Sequence, residues 1–363
     1  MLVKKVFLDN FLSYDRAFVE FDDGVNVLIG QNAVGKTNLL ESIYFSALSK
    51  SARGLKDKEL INRNNKDKGA RVRLFVEKKY ATHVIDVNID KFGKKRILID
   101  DIPIAKVGEL MGAINVVYFA PTEMSLVKDA PENRRRFIDV SLCQQDKIYF
   151  YTLIKYNKLL AQRNKLLKDY GNSPSLKEMS VIITNQMSET QEYIIKKRKA
   201  FLQGIEPLVK EIHTNITSDK EILEISYETE DVEENDVKGS LIKLYERAFE
   251  KDCRLGYTTV GVHRDDIKIT TNGIDIRKFG SQGQQRTAVL SMKFAEVKRF
   301  YEVCGEYPVL LLDDVLSELD MDRQKALFKA IEGVQTFVTC TEFDGRIKEK
   351  SIYEIKNGTV IKK

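Results

Sequence analysis

The residues from Gly30 to Thr37 read GQNAVGKT, and their types and spacing suit the binding of a chain of phosphates. Glycine at both ends frees the main chain to wrap phosphate oxygens with the N–H groups of Gly30, Gln31, Asn32, Ala33, Val34 and Gly35. Lys36 can reach the β and γ oxygens and Thr37 offers a hydroxyl to a magnesium ion. Asn38 continues the helix, whose positive end favours the anion. The segment lies between an apolar strand, VNVLI, and a helical run, TNLLESIYFSAL, where this chemistry needs it. That context argues against a purely structural Gly-rich turn.

A phosphate loop needs a carboxylate on a neighbouring strand to hold the metal. VLLLDD, from Val309 to Asp314, is an apolar strand ending in two acids. Asp313 would meet the magnesium shell, and Asp314, on the other side of the strand, would polarise or deprotonate an attacking water. Phe279 to Gln285 reads FGSQGQQ just before another helix. The Ser281 hydroxyl, the bare backbone of Gly283 and the adjoining Gln284 would let that helix start approach a γ-phosphate closely. A site already lined by its own loop, lysine and acids is open on one side only, so the turn would come from a second copy, giving an ATP-dependent homodimer. Ser317, Glu318 and Asp320, in SELD, would run along the same contact.

The elements that must position these groups are legible as texture. Residues 1–122 read as strands around one helix, with a meander of RVRLFVEKK, THVIDVNI and KKRILID, making a mixed sheet lobe. Residues 123–254 read as mostly helical, with an αα-hairpin. Leu153, Tyr156, Leu160 and Leu167 stripe its first helix; Met179, Ile182, Ile183, Met187, Ile194 and Ile195 stripe the second, with breaks at Pro131, Pro174 and Pro207. Strand texture returns in TTVGV, DIKIT and IDIRKF, so 255–363 is read as the second part of the ATPase lobe. The expectation is an α/β head interrupted by a helical lobe with a short arm, about 40 Å at 1.5 Å per residue.

Composition sets the outer bounds. The 363 residues are 43% hydrophobic and 31% charged, with a mean hydropathy of −0.31, which excludes a membrane-embedded chain. A net charge of +5 permits a polyanionic partner without demanding one. The start of the chain carries no signal-peptide pattern, so a cytoplasmic protein is expected. Cys143, Cys253, Cys304 and Cys340 are too scattered for a disulfide framework or a zinc site.

In this order GQNAVGKT, GSQGQ, LLLDDV and SELD resemble the Walker A, signature, Walker B and D-loop motifs of ABC-type ATPases. The opening FLDNFLSYDRAFVEF resembles the heads of SMC relatives. Along essentially its whole length the chain resembles the bacterial RecF family, through FAPTEMSLVKDAPENRRRFID, GVHRDDI, FGSQGQQRT and LLDDVLSELDMDRQKAL. The resemblance implies ATP and Mg2+ as cofactors and weak, DNA-stimulated ATPase activity. It also implies binding of double-stranded, gapped or single-stranded DNA in recombinational DNA repair, replication and the SOS response. ATP would join two heads into a clamp that slow hydrolysis opens, and RecO and RecR would be partners in loading RecA. The chain departs from the wider ABC pattern at Gln282 and at Thr341, and from many relatives at Leu12.

For DNA, the visible basic groups are Arg134, Arg135 and Arg136, and the run Lys196, Lys197, Arg198 and Lys199. Either is a backbone-directed DNA contact or a solvated face, since no aromatics interleave them; alternatively, Arg134 to Arg136 hold the helical lobe onto the sheet lobe through Asp139 and neighbouring acids. Arg53 is a candidate nucleotide sensor or DNA contact, or else a solvated loop arginine. Two other classes share the phosphate loop. A transporter's nucleotide-binding subunit would lack the helical insertion, and a small-molecule kinase would have no use for the signature turn.

Overall fold

Strands β1 (Leu2–Phe11), β2 (Tyr14–Glu20) and β3 (Val25–Ile29) lead into helix α1 (Lys36–Leu48). They are followed by β4 (Ala70–Glu77), β5 (Thr82–Ile89), β6 (Lys95–Ile99), β7 (Ile102–Pro103) and β8 (Val116–Phe119). Next come α2 (Ser125–Lys128), α3 (Pro131–Gln145), α4 (Lys147–Tyr170), α5 (Leu176–Thr217), β9 (Leu223–Glu228) and α6 (Val237–Leu255). The last part holds β10 (Asp266–Thr271), β11 (Ile274–Asp275), α7 (Ile276–Phe279), α8 (Gln282–Cys304), β12 (Val309–Leu312), β13 (Thr336–Cys340), β14 (Lys350–Lys356) and β15 (Thr359–Lys362). The structure, a computed structural model, describes residues 1–170, 176–218, 220–316, 324, 327–329, 331–341, 350–356 and 358–363. Among them no helix is long and apolar enough to cross a membrane.

The chain forms two compact units: Met1–Met124, Ile212–Lys220 and Val289–Lys363 in the first, Ser125–Glu211 and Glu221–Ala288 in the second. In the first unit a six-stranded sheet has the order β15-β14-β3-β13-β12-β8, parallel except for β15. A second sheet, β2-β1-β4-β5-β6-β7, is antiparallel throughout. Helix α1 packs against strands of both sheets and is buried from Leu39 to Ala47. A helix covered on both sides has little need of a polar face, and TNLLESIYFSAL shows none. Phe21 joins the sheets' cores by packing edge-on against Phe337 and Tyr353.

The second unit is helical with a three-stranded sheet, β11-β10-β9. Its bounds differ from the division expected at 123 and 255, because DIKIT pairs with β9 along Asp266↔Glu228 to Thr271↔Leu223 rather than with the P-loop sheet. TTVGV forms no strand. The hydroxyl and N–H of Thr259 bond Asp252, and those of Thr258 bond Asn164, so these residues satisfy a buried carboxylate and amide instead of a ladder. IDIRKF divides into β11 and the single turn α7, whose start Asp275 caps through the Arg277 N–H. Helix α5 runs 42 residues straight through Pro207, about 63 Å at 1.5 Å per residue, so this helix is longer than the arm expected from sequence. Met187, Ile194 and Ile195 are buried as expected, but Met179 and Ile182 are 48% and 64% exposed, with Ser180 and Thr184 facing inward there instead.

Candidate nucleotide-binding site

The GQNAVGKT segment joins β3 to α1. Both glycines are demanded by their surroundings: a Cβ on Gly30 would lie 2.6 Å from the Ile355 carbonyl oxygen, and one on Gly35 would lie 2.6 Å from Ser13 Oγ. Gly35 is also left-handed, with φ 114°, as the N-cap of α1, and no side chain caps that helix start. Its N–H groups are therefore left to the loop's own ligand. The Tyr14 hydroxyl donates to the Gly35 carbonyl at 2.9 Å, and Asn38 Nδ2 donates to Ser13 Oγ at 2.9 Å, tying the loop to the β1–β2 turn.

Lys36 turns back into the loop, where Nζ donates to the carbonyls of Gly30 at 2.5 Å and Gln31 at 2.8 Å. Burial lowers its pKa below the ordinary lysine value, with Asp314 the largest opposing influence. Gln31, Asn32 and Ala33 form the exposed crest of the loop and Val34 is half-buried.

Strand β13 lies between β3 and β12, and this order brings Thr37 and Asp313 together. Thr37 Oγ1 donates to Asp313 Oδ1 at 2.9 Å although 276 positions separate them. Asp313 is held from two further sides. Thr339 Oγ1 of β13 donates to Oδ1 at 2.8 Å, and the buried Tyr118 hydroxyl of β8 donates to Oδ2 at 3.0 Å. Burial first, then the Asp313 charge, push the Tyr118 hydroxyl far above the phenol range, which keeps it a donor. Thr339 Oγ1 also accepts from the Asp314 N–H at 2.8 Å, so one hydroxyl positions both acids. Asp314 itself is exposed and left-handed, with φ 53°.

Arg53 is held close to this loop. Its Nη2 donates to Asn38 Oδ1 at 3.0 Å, and its Nε pairs with Glu41 of α1 at 3.3 Å. Glu41 is buried and also accepts the Ala52 N–H at 3.0 Å. Sequence reasoning passed over Tyr14, Glu41, Tyr118 and Thr339. Only Thr339, one residue before the end of an apolar strand, carries a local signal. Thr341, where many ABC ATPases have histidine, is exposed.

In the second unit Ser281 is the N-cap of α8. Its N–H donates to Gln284 Oε1 at 2.9 Å while the Gln284 N–H donates back to Ser281 Oγ at 3.3 Å, a reciprocal cap. Gln284 Nε2 also donates to Glu221, and Thr287 Oγ1 returns to the Gly283 carbonyl. Ser281 and Gln282 are exposed and Gly283 is half-buried. Ser317, Glu318 and Asp320 lie outside the described residues.

The basic candidates divide sharply. Arg134, 2% exposed, pairs with Asp266 at 2.5 Å, and Arg135 donates to the Asp265 carbonyl at 2.7 Å, while Arg136 is exposed. Arg198 is also buried, bridging Asp139 at 2.9 Å and Asp265 at 3.1 Å. Arg134 and Arg198 are therefore no DNA-reading surface. They neutralise carboxylates inside the second unit, which the letters of a basic run cannot distinguish from a solvated face. Lys196 is exposed, Lys197 pairs with Asp146, and Lys199 reaches Glu234 at 3.4 Å.

A phosphate loop and an acid-ended neighbouring strand, beside an antiparallel sheet and an inserted helical unit, define an ABC- or SMC-type ATPase head. Solved SMC heads share the fold: the SmcHead bound to the C-winged helix domain of ScpA superposes with a TM-score of 0.59 at 16% identity, covering 100% of this chain and 98% of that one. Residues 2–358 match the family model of the RecF/RecN/SMC N-terminal domain. The chain is 42% identical to the DNA replication and repair protein RecF of Clostridium botulinum (strain Loch Maree / Type A3), over 100% of both chains. It is 44% identical to that of Lachnoclostridium phytofermentans, again over 100% of both. The recombination mediator protein RecF, solved with ATP in the RecFOR pathway, superposes with a TM-score of 0.92 at 35% identity, covering 99% of this chain and 97% of that one. The chain belongs to the RecF family of DNA replication and repair proteins.

Proposed function

We propose that this protein binds ATP with Mg2+ at the β3–α1 loop, and that ATP binding joins two copies into a clamp on DNA that slow hydrolysis releases. The observation that carries this reading is the meeting of Thr37 and Asp313 at 2.9 Å beside the uncapped start of α1. Thr37 Oγ1 and Asp313 present hard oxygen donors of the kind magnesium accepts while keeping several waters, so the residues fit the ion. Bound there, the metal would supply charge neutralisation to the β and γ oxygens. The rest is done by the chain. The loop N–H groups hold and orient the phosphates, Lys36 exchanges its carbonyl partners for phosphate oxygens, and Asp314 takes the proton of the attacking water. Thr339 fixes both acids; Thr339→Val is expected to raise the magnesium needed for half-maximal ATP binding by about 10–100-fold, read by a magnesium titration of a fluorescent ATP analogue.

The exposed turn at Ser281 and Gln282 supports the dimer, since an exposed helix start suits a γ-phosphate presented by a second copy. If nucleotide binds the dimer more tightly than the monomer, it favours dimerisation by the same factor. Ser281→Arg is expected to leave ATP binding intact in the monomer and abolish the ATP-dependent dimer in sedimentation. A dimer surviving that change would sink the composite site. The RecFOR pathway given for the solved relative supports a place in recombinational repair; a cytoplasmic location and RecO and RecR as partners in loading RecA belong to the same proposal. The decisive test is ATP turnover with and without double-stranded DNA, alongside sedimentation with and without ATP. A protein that stays monomeric with ATP and ignores DNA would refute the reading.

A further inference from the structure

The outer face of the antiparallel sheet carries features that the nucleotide site does not use. Alternation along the strands buries Val6, Leu8, Val72 and Leu74 and turns their neighbours outward. Outward-facing Phe7 on β1 lies directly opposite Phe18 on β2, and Phe75 on β4 lies diagonal to Phe7, opposite Lys5. Phe18 is 56% exposed. Each ring is accompanied by a cation: Arg16 at 5.4 Å from the Phe7 centroid, Lys5 at 5.9 Å from Phe18, and Arg73 at 5.7 Å from Phe75.

The next row of the same face reads Arg16, Asp9, Arg71, Asn88 and Arg96 across β2, β1, β4, β5 and β6. It spans about 19 Å at the usual strand spacing. At its β6 end lies an open hollow of about 470 Å³, lined by Asp9, Arg71, Asn88, Lys94 and Arg96 among others. Arg71 is bidentate to Asp86, Arg73 pairs with Asp101 and Lys5 with Glu20. No carboxylate lies within ion-pair range of Arg16, Lys94 or Arg96 among the described residues. Against Asp9 in the row and Asp90 at the hollow, Arg16, Lys94 and Arg96 leave a small positive excess, beside Phe18 and Phe7 in one row and Phe75 in the next.

We propose that this face is a second nucleic-acid site, which takes single-stranded DNA independently of ATP-driven dimerisation. An exposed ring and two half-buried ones, each flanked by a cationic side chain, match unpaired bases lying over a charged backbone, whereas a duplex hides its base faces. Phe7, Phe18 and Phe75 stack bases, Arg16 and Arg96 take phosphates, and the hollow has room for one nucleotide, with Asn88 and Asp9 at its base edge. On α5 the basic run has one such ring, Tyr193 under Lys197 at 5.3 Å, and that lysine also pairs with Asp146.

The test is fluorescence anisotropy on the full chain without ATP, using an oligothymidylate of roughly 20 nucleotides, an abasic strand of equal length and a duplex. The oligothymidylate is expected to bind about tenfold tighter than the abasic strand, Phe18→Ala to remove about tenfold of its affinity, and Phe18→Tyr to restore it. Arg96→Glu is expected to weaken both strands and flatten the salt dependence. ATP-dependent binding of duplex should be unchanged in Phe18→Ala. Equal affinity for thymidylate and abasic strands, an unaffected Phe18→Ala, or tighter binding of an acidic peptide than of thymidylate would overturn the proposal. Failure of ATP to dimerise the chain, with the single-strand result intact, would count against the clamp and leave this site standing.

Discussion

Asp314→Asn is expected to slow ATP turnover by about 10²–10⁴-fold, the usual contribution of a positioned general base, while leaving ATP binding and dimerisation in place. The substitution is close to isosteric, and asparagine is among the few residues that tolerate the left-handed backbone Asp314 adopts at φ 53°. The Asp314 N–H donates to Thr339 Oγ1 at 2.8 Å, a main-chain contact that survives the change. The phosphate loop and Asp313 are untouched. The variant should therefore accumulate as an ATP-bound dimer in sedimentation, with little phosphate released. Turnover near the wild-type rate would show that Asp314 is a solvated acid at a strand end and that the base lies elsewhere.

The second large effect lies far from the phosphates. Arg198→Met is expected to destabilise the second unit by about 3–5 kcal/mol, because removing one partner of a buried pair strands the others. Arg198 is 2% exposed and serves Asp139, Asp265 and the Val262 carbonyl at 2.8 Å. Tyr227 and Thr229 also donate to Asp265, and the Tyr149 hydroxyl donates to Asp139, so the network loses its positive centre while keeping two carboxylates. Lys196→Met, two positions away and exposed, is the control and should change stability by no more than about 0.5 kcal/mol. Denaturant melts of both variants decide the matter. An Arg198→Met chain as stable as wild type but weaker on DNA would return that residue to the nucleic-acid surface.

That contrast shows where a sequence stops being informative. KKRK reads as four equivalent cations, yet the fold turns Lys196 outward and Arg198 to the centre of a unit whose acids come from α3 and the β10 approach. Helical periodicity gives a residue's angle around its own axis and not what faces it. For the same reason TTVGV reads as a strand, because branched residues favour extended chain. Asp252 and Asn164, distant in sequence, claim its hydroxyls and N–H groups instead.

The sequence by itself determined the chemistry of the nucleotide site: the loop, the lysine, the threonine and the two acids are set by letters and local spacing. These suffice because a phosphate is gripped by consecutive N–H groups and a helix start, which are local features. It also pointed to the interrupted layout, since Thr37 and Asp313, which meet at 2.9 Å, can do so only if the chain leaves and returns. Tertiary structure alone decided the supports. Strand order places β13 between β3 and β12 and so sets Thr339 beside Asp313, β8 brings the Tyr118 hydroxyl, and cross-strand register lines up Phe18, Phe7 and Arg73 on one face. Each of these depends on which strands become neighbours, a choice made by burying α1 between two sheets, and no stretch of sequence short enough to read as a motif contains it.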